Sequence, residues 1–174
     1  NLNDLRGAMA DYDRVIEMDE NNLIARFNRG LLRAQVADNN RAIKDFDKVI
    51  ELEPDNTMAY INRAMLHAEI GDNANAIEDL NLVLNEHPDF FTGYYMRAEM
   101  KRQLNDLQGA ERDFLAARNE EAKAKKRATT DAEDGRKKVA ESKDTREETD
   151  KDIDKFNLLV VADKEASQKN QSKY

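Results

Sequence analysis

The chain has 174 residues, of which 37% are charged and 6% aromatic, and its net charge is −8. Charges balance after residue 118, so the excess of acidic residues lies in residues 1–118; an acidic body repels phosphate backbones, and we expect no nucleic-acid partner. The longest apolar run, residues 158–162, is far shorter than the roughly 20 residues of a spanning helix, so we expect no membrane insertion.

The first 20 residues are predicted to form one helix, which is half of a repeated unit. Asn1 aligns with the thirteenth residue of the units that follow, so we expect this segment to come from a longer array. Without a polar capping helix, this end would leave Met9, Tyr12 and Ile16 open to solvent. Such an end favours end-to-end association, and we expect a homodimer through it.

The residues that follow repeat with a fixed period. Ala42, Ala76 and Ala110 lie 34 residues apart, and three further positions keep the same spacing. These series are Asp4, Asp38, Asp72 and Asp106, then Asp11, Asp45, Asp79 and Asp113, then Tyr12, Phe46, Leu80 and Phe114. A period of this length is typical of stacked two-helix units.

Each unit is predicted to contain two helices and a short turn. Apolar residues recur at helical spacing between Tyr60 and Ile70, and Gly71 with Asp72 then breaks the pattern. Asp72 is suited to cap the next helix, and Asp38 and Asp106 repeat this turn. Small residues at one position of each first helix would let the paired helices cross closely. They are Gly30, Ala64 and Ala98.

These positions resemble the tetratricopeptide repeat, in which helix pairs stack into an all-α superhelix, or solenoid. The resemblance covers residues 1–118 as about 3.5 repeats. The boundaries that it implies are a half repeat at 1–20 and repeats at about 23–56, 57–90 and 91–118. The last repeat has Ala122 where the family has proline, so its second helix is predicted to continue into the tail.

The resemblance implies a peptide-binding concave face lined by the first helices of the repeats. This would be an apolar trough edged by amides, suited to an extended or helical peptide. The implied binding residues are Ile24, Phe27, Asn28, Leu31, Met58, Ile61, Asn62, Met65, Tyr95, Met96 and Glu99. In the alternative interpretation, Phe27, Ile61 and Tyr95 pack against the neighbouring helix. Thr92 and Met96 stand where some relatives carry basic residues that bind a C-terminal carboxylate, so we do not expect that specificity.

A basic ladder recurs at the period, partly where the family has a large residue. It consists of Arg29, Arg33, Arg63, His67, Arg97 and Lys101. In one interpretation the arginines pair with the periodic aspartates Asp11, Asp45, Asp79 and Asp113 across helix boundaries. In the other, the ladder binds an acidic peptide. We favour the first, because charges that recur with opposite charges usually satisfy one another.

Catalytic, cofactor and metal sites are not predicted. Residues 1–118 contain neither serine nor cysteine, and the two histidines, His67 and His87, are too far apart in sequence to predict a joint metal site. Isolated glycines provide no phosphate-binding loop. We therefore expect the chain not to be an enzyme.

Residues 119–174 form a charged tail that is predicted to be an exposed helix or disordered. Thr129, Thr130 and Gly135 are expected to break it. An apolar segment at 153–161 has Ile153, Phe156, Leu159 and Val160 at near-helical spacing, although residues 158–161 would also suit a short strand. It is predicted either to dock in an apolar trough of its own chain or a neighbour, or to be part of a following domain.

The function predicted from these features is a protein-interaction scaffold that binds a peptide or partner segment. Three alternatives stay open: a structural spacer, a self-association module, and a regulatory segment of a larger protein. The partner and the localisation are not predicted, since repeat folds serve many unrelated partners.

Overall fold

A computed structural model describes the backbone of residues 2–171 and the side chains of residues 4–143 and 147. Seven α-helices make up these residues, and no strand occurs among them. The helices are α1 (Leu2–Met18), α2 (Leu23–Gln35), α3 (Asn39–Leu52), α4 (Thr57–Glu69), α5 (Asn73–Glu86), α6 (Phe91–Gln103) and α7 (Leu107–Gln171). The chain divides into two units, Asn1–Lys123 and Ala124–Tyr174.

In the first unit the helices pack in chain order, each against the next. Contacts join α1 with α2, α2 with α3, α3 with α4, α4 with α5, and α5 with α6. The pairs are antiparallel, because residue numbers fall along α2 as they rise along α3: Arg33 bonds the Arg41 carbonyl and Arg29 bonds Asp45. This is the helix-pair stacking that the period predicts.

The turn inside each pair requires one left-handed residue. Gly71 has φ 80°, and the corresponding residues Ala37 and Asn105 have φ 60° and 63°. Around Gly71 the Asp72 N–H donates to the His67 carbonyl at 2.8 Å and the Gly71 N–H donates to the Ala68 carbonyl at 3.0 Å. This is a Schellman ending, and it satisfies carbonyls that the helix end leaves without partners.

The predicted aspartate caps form at two of the three turns. Asp72 accepts the Asn75 N–H at 3.3 Å, and Asp106 accepts the Gly109 N–H at 2.9 Å. Asp38 occupies the cap position of α3, but its side chain makes no capping hydrogen bond. The backbone turn therefore forms even where the carboxylate does not cap the helix.

The core lies where the second helix of one repeat meets the first helix of the next. One cluster joins Ala42, Phe46 and Val49 of α3 to Ala59 and Leu66 of α4. A second joins Leu80 and Ala76 of α5 to residues of α4 and α6. At the crossing of α2 and α3, a Cβ on Gly30 would lie 3.0 Å from the Phe46 ring, which explains the small residue there.

α7 does not end where the earlier second helices end. It continues through Ala122, as the missing proline predicts. The expected breaks are wrong: the hydroxyls of Thr129 and Thr130 donate to the Lys126 carbonyl at 2.8 and 2.9 Å, and the helix continues through Gly135. Of the two alternatives for residues 158–161, the strand is wrong, since their backbone belongs to α7. The predicted docking of the apolar segment 153–161 depends on side chains that lie outside the described ones, and it stays a prediction.

The exposed N-terminal patch is a further correction. Ile16 is buried, and Met9 and Tyr12 are half-buried, because α1 packs against α2. Among the described residues, the helices include none with the length and apolar character needed to span a membrane.

Candidate functional site

The predicted peptide-binding side chains all lie on the first helices of the repeats, and we call this set the groove face. On α2, Ile24 and Leu31 are exposed, and on α4, Met58 and Met65 are exposed. Each pair is seven residues apart and so lies on one face of its helix. This gives four solvent-exposed apolar side chains on two neighbouring repeats.

Deeper in the groove face, three side chains are half-buried. The Phe27 ring meets the Phe46 ring edge-on, with centroids 5.4 Å apart, and the Tyr95 ring lies 6.1 Å from that of Phe114. The Tyr95 hydroxyl donates to Glu121 at 2.9 Å. Ile61 is also half-buried. The partial burial of Phe27, Ile61 and Tyr95 agrees with the alternative interpretation, in which these side chains pack against neighbouring helices.

Polar groups of the groove face are partly engaged within their own helices. The Asn62 side-chain amide donates to the Met58 carbonyl at 2.8 Å. Glu99 accepts two hydrogen bonds from Arg102, at 2.6 and 3.0 Å, and these bonds hold the pKa of Glu99 below its ordinary value. Asn28 and Met96 are half-buried. The groove face is therefore apolar on α2 and α4 and more polar on α6.

An open cleft of about 390 Å³ adjoins the start of α4. Met58 and Ile61 contribute to its lining. The sequence analysis did not select the other lining residues, which are Thr57, Val83, His87, Asp89 and Phe90. His87 Nε2 lies 3.1 Å from the Thr57 hydroxyl. One sequence signal could have identified this cleft. The residue before each first helix is an asparagine that caps the helix at α2 and α4, Asn22 and Asn56, but before α6 it is Phe90, which makes no side-chain cap.

Three arginines of the basic ladder, Arg29, Arg63 and Arg97, each connect two repeats. Arg63 on α4 donates two hydrogen bonds to Asp79 of α5, at 2.9 and 2.7 Å, and a third to Asp47 of α3 at 2.8 Å. We call this three-helix contact an arginine bridge. The same geometry links Arg29 to Asp45 and Asp13, and Arg97 to Asp113 and Asn81.

The second basic residue of each repeat supports the bridge in two cases. Arg33 lies 2.8 Å from Asp45, and Lys101 lies 2.9 Å from Asp113. In the middle repeat the ring of His67 instead approaches Asp72 at 3.4 Å.

The electrostatics of the bridges follow from these contacts. Hydrogen bonding to Asp79 raises the pKa of Arg63 against the opposing effect of desolvation, and hydrogen bonding to Asp45 does the same for Arg29. Burial alone would raise the pKa of Asp113. Hydrogen bonds from Arg97 and Lys101 outweigh it and hold that pKa below its ordinary value.

The basic ladder is thus engaged within the chain. Asp45, Asp79 and Asp113 are the acceptors that the first interpretation names, whereas the acceptor on α1 is Asp13 rather than Asp11. Binding of an acidic peptide by the ladder stays a prediction, and the cations that it would need already have carboxylate partners.

Comparisons with known proteins agree with this geometry. A family model described as tetratricopeptide repeat matches residues 32–89. Among solved structures, MamA residues 41 to the end from Desulfovibrio magneticus RS-1 is 21% identical with a TM-score of 0.63, over 67% of this chain and 66% of that chain. A MamA RS-1 double mutant is 18% identical with a TM-score of 0.66, over 71% and 70%.

A third solved structure contains a bound peptide. It is the first tetratricopeptide-repeat domain of Spaghetti (RPAP3) bound to the HSP90 peptide SRMEEVD, 21% identical with a TM-score of 0.54, over 57% of this chain and 79% of that chain. At such identities the likeness concerns the fold. No curated protein matches the chain in sequence.

Proposed function

We propose that this chain, whose residues 32–89 match a tetratricopeptide-repeat model, is a non-enzymatic interaction scaffold whose groove face binds a peptide segment of a partner protein. The observation that carries this proposal is the exposure of Ile24, Leu31, Met58 and Met65 on two adjacent first helices. Apolar side chains grouped on a protein surface typically mark a binding site. A spacer would have no need to keep this set exposed.

The chemistry of the groove face supports an apolar peptide rather than an acidic one. Methionine side chains are flexible and polarizable, so Met58 and Met65 suit adaptable contact with aliphatic or aromatic residues. Residues 1–118 carry the net negative charge of the chain, which disfavours an acidic ligand. The partner segment would therefore be apolar, with neutral or basic flanking residues.

The change in polarity along the repeats gives the bound peptide a direction. The positions of Met58 and Met65 are occupied on α6 by Thr92 and Glu99. We propose that the apolar anchors of the peptide lie over α2 and α4 and that its polar end lies over α6. The cleft beside Ile61 would then receive one anchoring side chain.

Selection of peptides from a random phage-displayed library on the immobilised chain tests this proposal. We expect selected peptides to be rich in apolar residues and to lose at least tenfold in affinity on Met65→Glu, because a carboxylate would have to be desolvated in the groove. Leu82→Glu is the matched control, since Leu82 is an exposed apolar residue of α5 outside the groove face.

Two results would contradict the proposal. One is a library that yields no binder for the intact chain, which would favour the spacer. The other is equal loss of affinity for Met65→Glu and Leu82→Glu. Circular dichroism melting of both variants shows whether the repeats stay folded, so loss of binding is separated from loss of structure.

A further inference from the structure

One face of α7 in the first unit carries two exposed leucines and two residues of opposite charge. Leu107, Glu111, Leu115 and Arg118 follow one another at intervals of three or four residues, which places them on one helix face. Leu107 is 60% exposed and Leu115 is 54% exposed. With Phe114 they line an open cleft of about 320 Å³. We call this set the α7 face.

At the equivalent place in the earlier repeats, the next repeat covers this face. Phe46 of α3 is fully buried where α4 packs on it, whereas Phe114 at the same position of α7 is 37% exposed. α7 continues as a helix past Ala122, whereas α3 ends at Leu52 and a short turn leads from it to α4.

The α7 face also lacks the groups that hold a following repeat. At three positions its residues differ in type from those of the earlier second helices. Glu111 stands at the position of Ile43 and Ile77, Leu115 at that of Asp47 and Asn81, and Arg118 at that of Ile50 and Leu84. Asp47 and Asn81 are the acceptors of the arginine bridges from the following repeat. A further repeat would therefore meet buried charges and no acceptor, and we exclude it as the occupant.

The arrangement of charges identifies a different occupant, a second copy of the same chain. Glu111 and Arg118 lie equally far from the midpoint between Phe114 and Leu115. In an antiparallel pair of helices related by a two-fold axis at this midpoint, Glu111 faces Arg118 of the second copy, and this ion pair occurs twice. Phe114 likewise faces Leu115 of the second copy. We propose that the chain forms a homodimer through the α7 face.

Charge complementarity favours this occupant over a partner of one sign. A basic segment would meet Arg118, and an acidic segment would meet Glu111, each with a like charge beside the apolar centre. A second copy satisfies both charges and covers Leu107 and Leu115. The contact uses residues 107–122, which lie within the first unit, and it is separate from the N-terminal end, where Ile16 is buried.

Charge reversal at Glu111 and Arg118 tests the dimer. Variants that merely misfold would not recover dimerisation when they are mixed. In a symmetric dimer, Glu111→Arg creates two Arg–Arg contacts and Arg118→Glu creates two Glu–Glu contacts. Each variant alone should therefore raise the dimer dissociation constant at least about tenfold, since two attractive pairs become repulsive. An equimolar mixture of the two variants restores both attractive pairs, so the mixed dimer should form with near wild-type affinity.

The measurement is sedimentation equilibrium of the full chain, with Lys44→Glu and Glu78→Arg as controls because these exposed charges lie on α3 and α5. The controls should leave the mass unchanged. A wild-type chain that stays monomeric up to roughly 1 mM would overturn the proposal. Single variants that dimerise like the wild type, or a mixture that stays monomeric, would equally overturn it. Peptide binding at the groove face should not change in any of these variants.

Discussion

Replacing Arg63 with alanine tests whether the arginine bridges are structural. The substitution removes two hydrogen bonds to Asp79, one to Asp47, and the contact of the guanidinium with the Tyr60 ring, whose centroid lies 5.6 Å away. It also removes a connection between three helices of two repeats. We expect the loss to destabilise the folded repeats and not merely to change their surface charge.

The magnitude follows from the environment of the two acceptors. The Asp79 side chain is only 5% exposed, whereas that of Asp47 is 51% exposed. Leaving a buried carboxylate without its partner costs about 3–5 kcal/mol, and an exposed pair contributes at most about 1 kcal/mol. Arg63 itself is partly exposed, so water can partly replace it. We therefore expect a loss of about 3 kcal/mol in the free energy of unfolding, or about 10 °C in Tm.

The assay is urea denaturation followed by circular dichroism, with a double-mutant cycle. Asp79→Asn removes the carboxylate charge, and once it is absent the additional effect of Arg63→Ala should fall to about 1 kcal/mol. Arg63→Lys should lie between the wild type and the alanine variant, because an ammonium cannot bond Asp79 through two parallel N–H groups as a guanidinium does.

The reasoning would be refuted by a specific result. If Arg63→Ala unfolded at the wild-type urea concentration while affinity for a groove-face peptide fell, the arginine would serve binding and not stacking. Additive effects of Arg63→Ala and Asp79→Asn would also refute it, because they would mean that the two side chains do not act as a pair.

Two further predictions concern acid stability and turn geometry. Because the folded-state pKa of Asp113 is depressed, its stabilising contribution is present above the unfolded pKa of about 3.9 and disappears as pH falls through the lower folded-state value. Thermal melts should therefore show a Tm that falls less steeply below about pH 4 in Asp113→Asn than in the wild type, and equal slopes would contradict this prediction. Ala37 has φ 60°, so Ala37→Gly should raise the free energy of unfolding by up to about 1 kcal/mol, whereas Gly71→Ala should lower it by about 1 kcal/mol. Urea denaturation measures both, and stabilisation by Gly71→Ala would contradict the turn geometry.

The sequence alone determined the repeating architecture of this protein. The 34-residue recurrence of Ala42, Ala76 and Ala110 predicts stacked helix pairs, since a helix pair with one apolar side must be covered by its neighbour. Pairing of arginines with Asp45, Asp79 and Asp113 was also predictable, because both partners recur at the same period. These features follow from local periodicity and charge, which a linear sequence displays directly.

Other features depend on contacts between residues that the period does not relate. Tertiary packing buried Ile16 against α2. The α5–α6 turn brings His87 and Phe90 to the cleft beside Met58. In each case the outcome depends on which helix packs against which side chain. That packing is established only when the chain folds.

The α7 face shows both contributions at once. The sequence contains Glu111, Leu115 and Arg118 in place of the residues that hold a following repeat. Only the tertiary structure shows that Leu107 and Leu115 stay exposed while neighbouring Asp113 and Ala117 are buried. The physical reason is that a residue type fixes what a side chain can bind, whereas burial is fixed by the elements that pack around it.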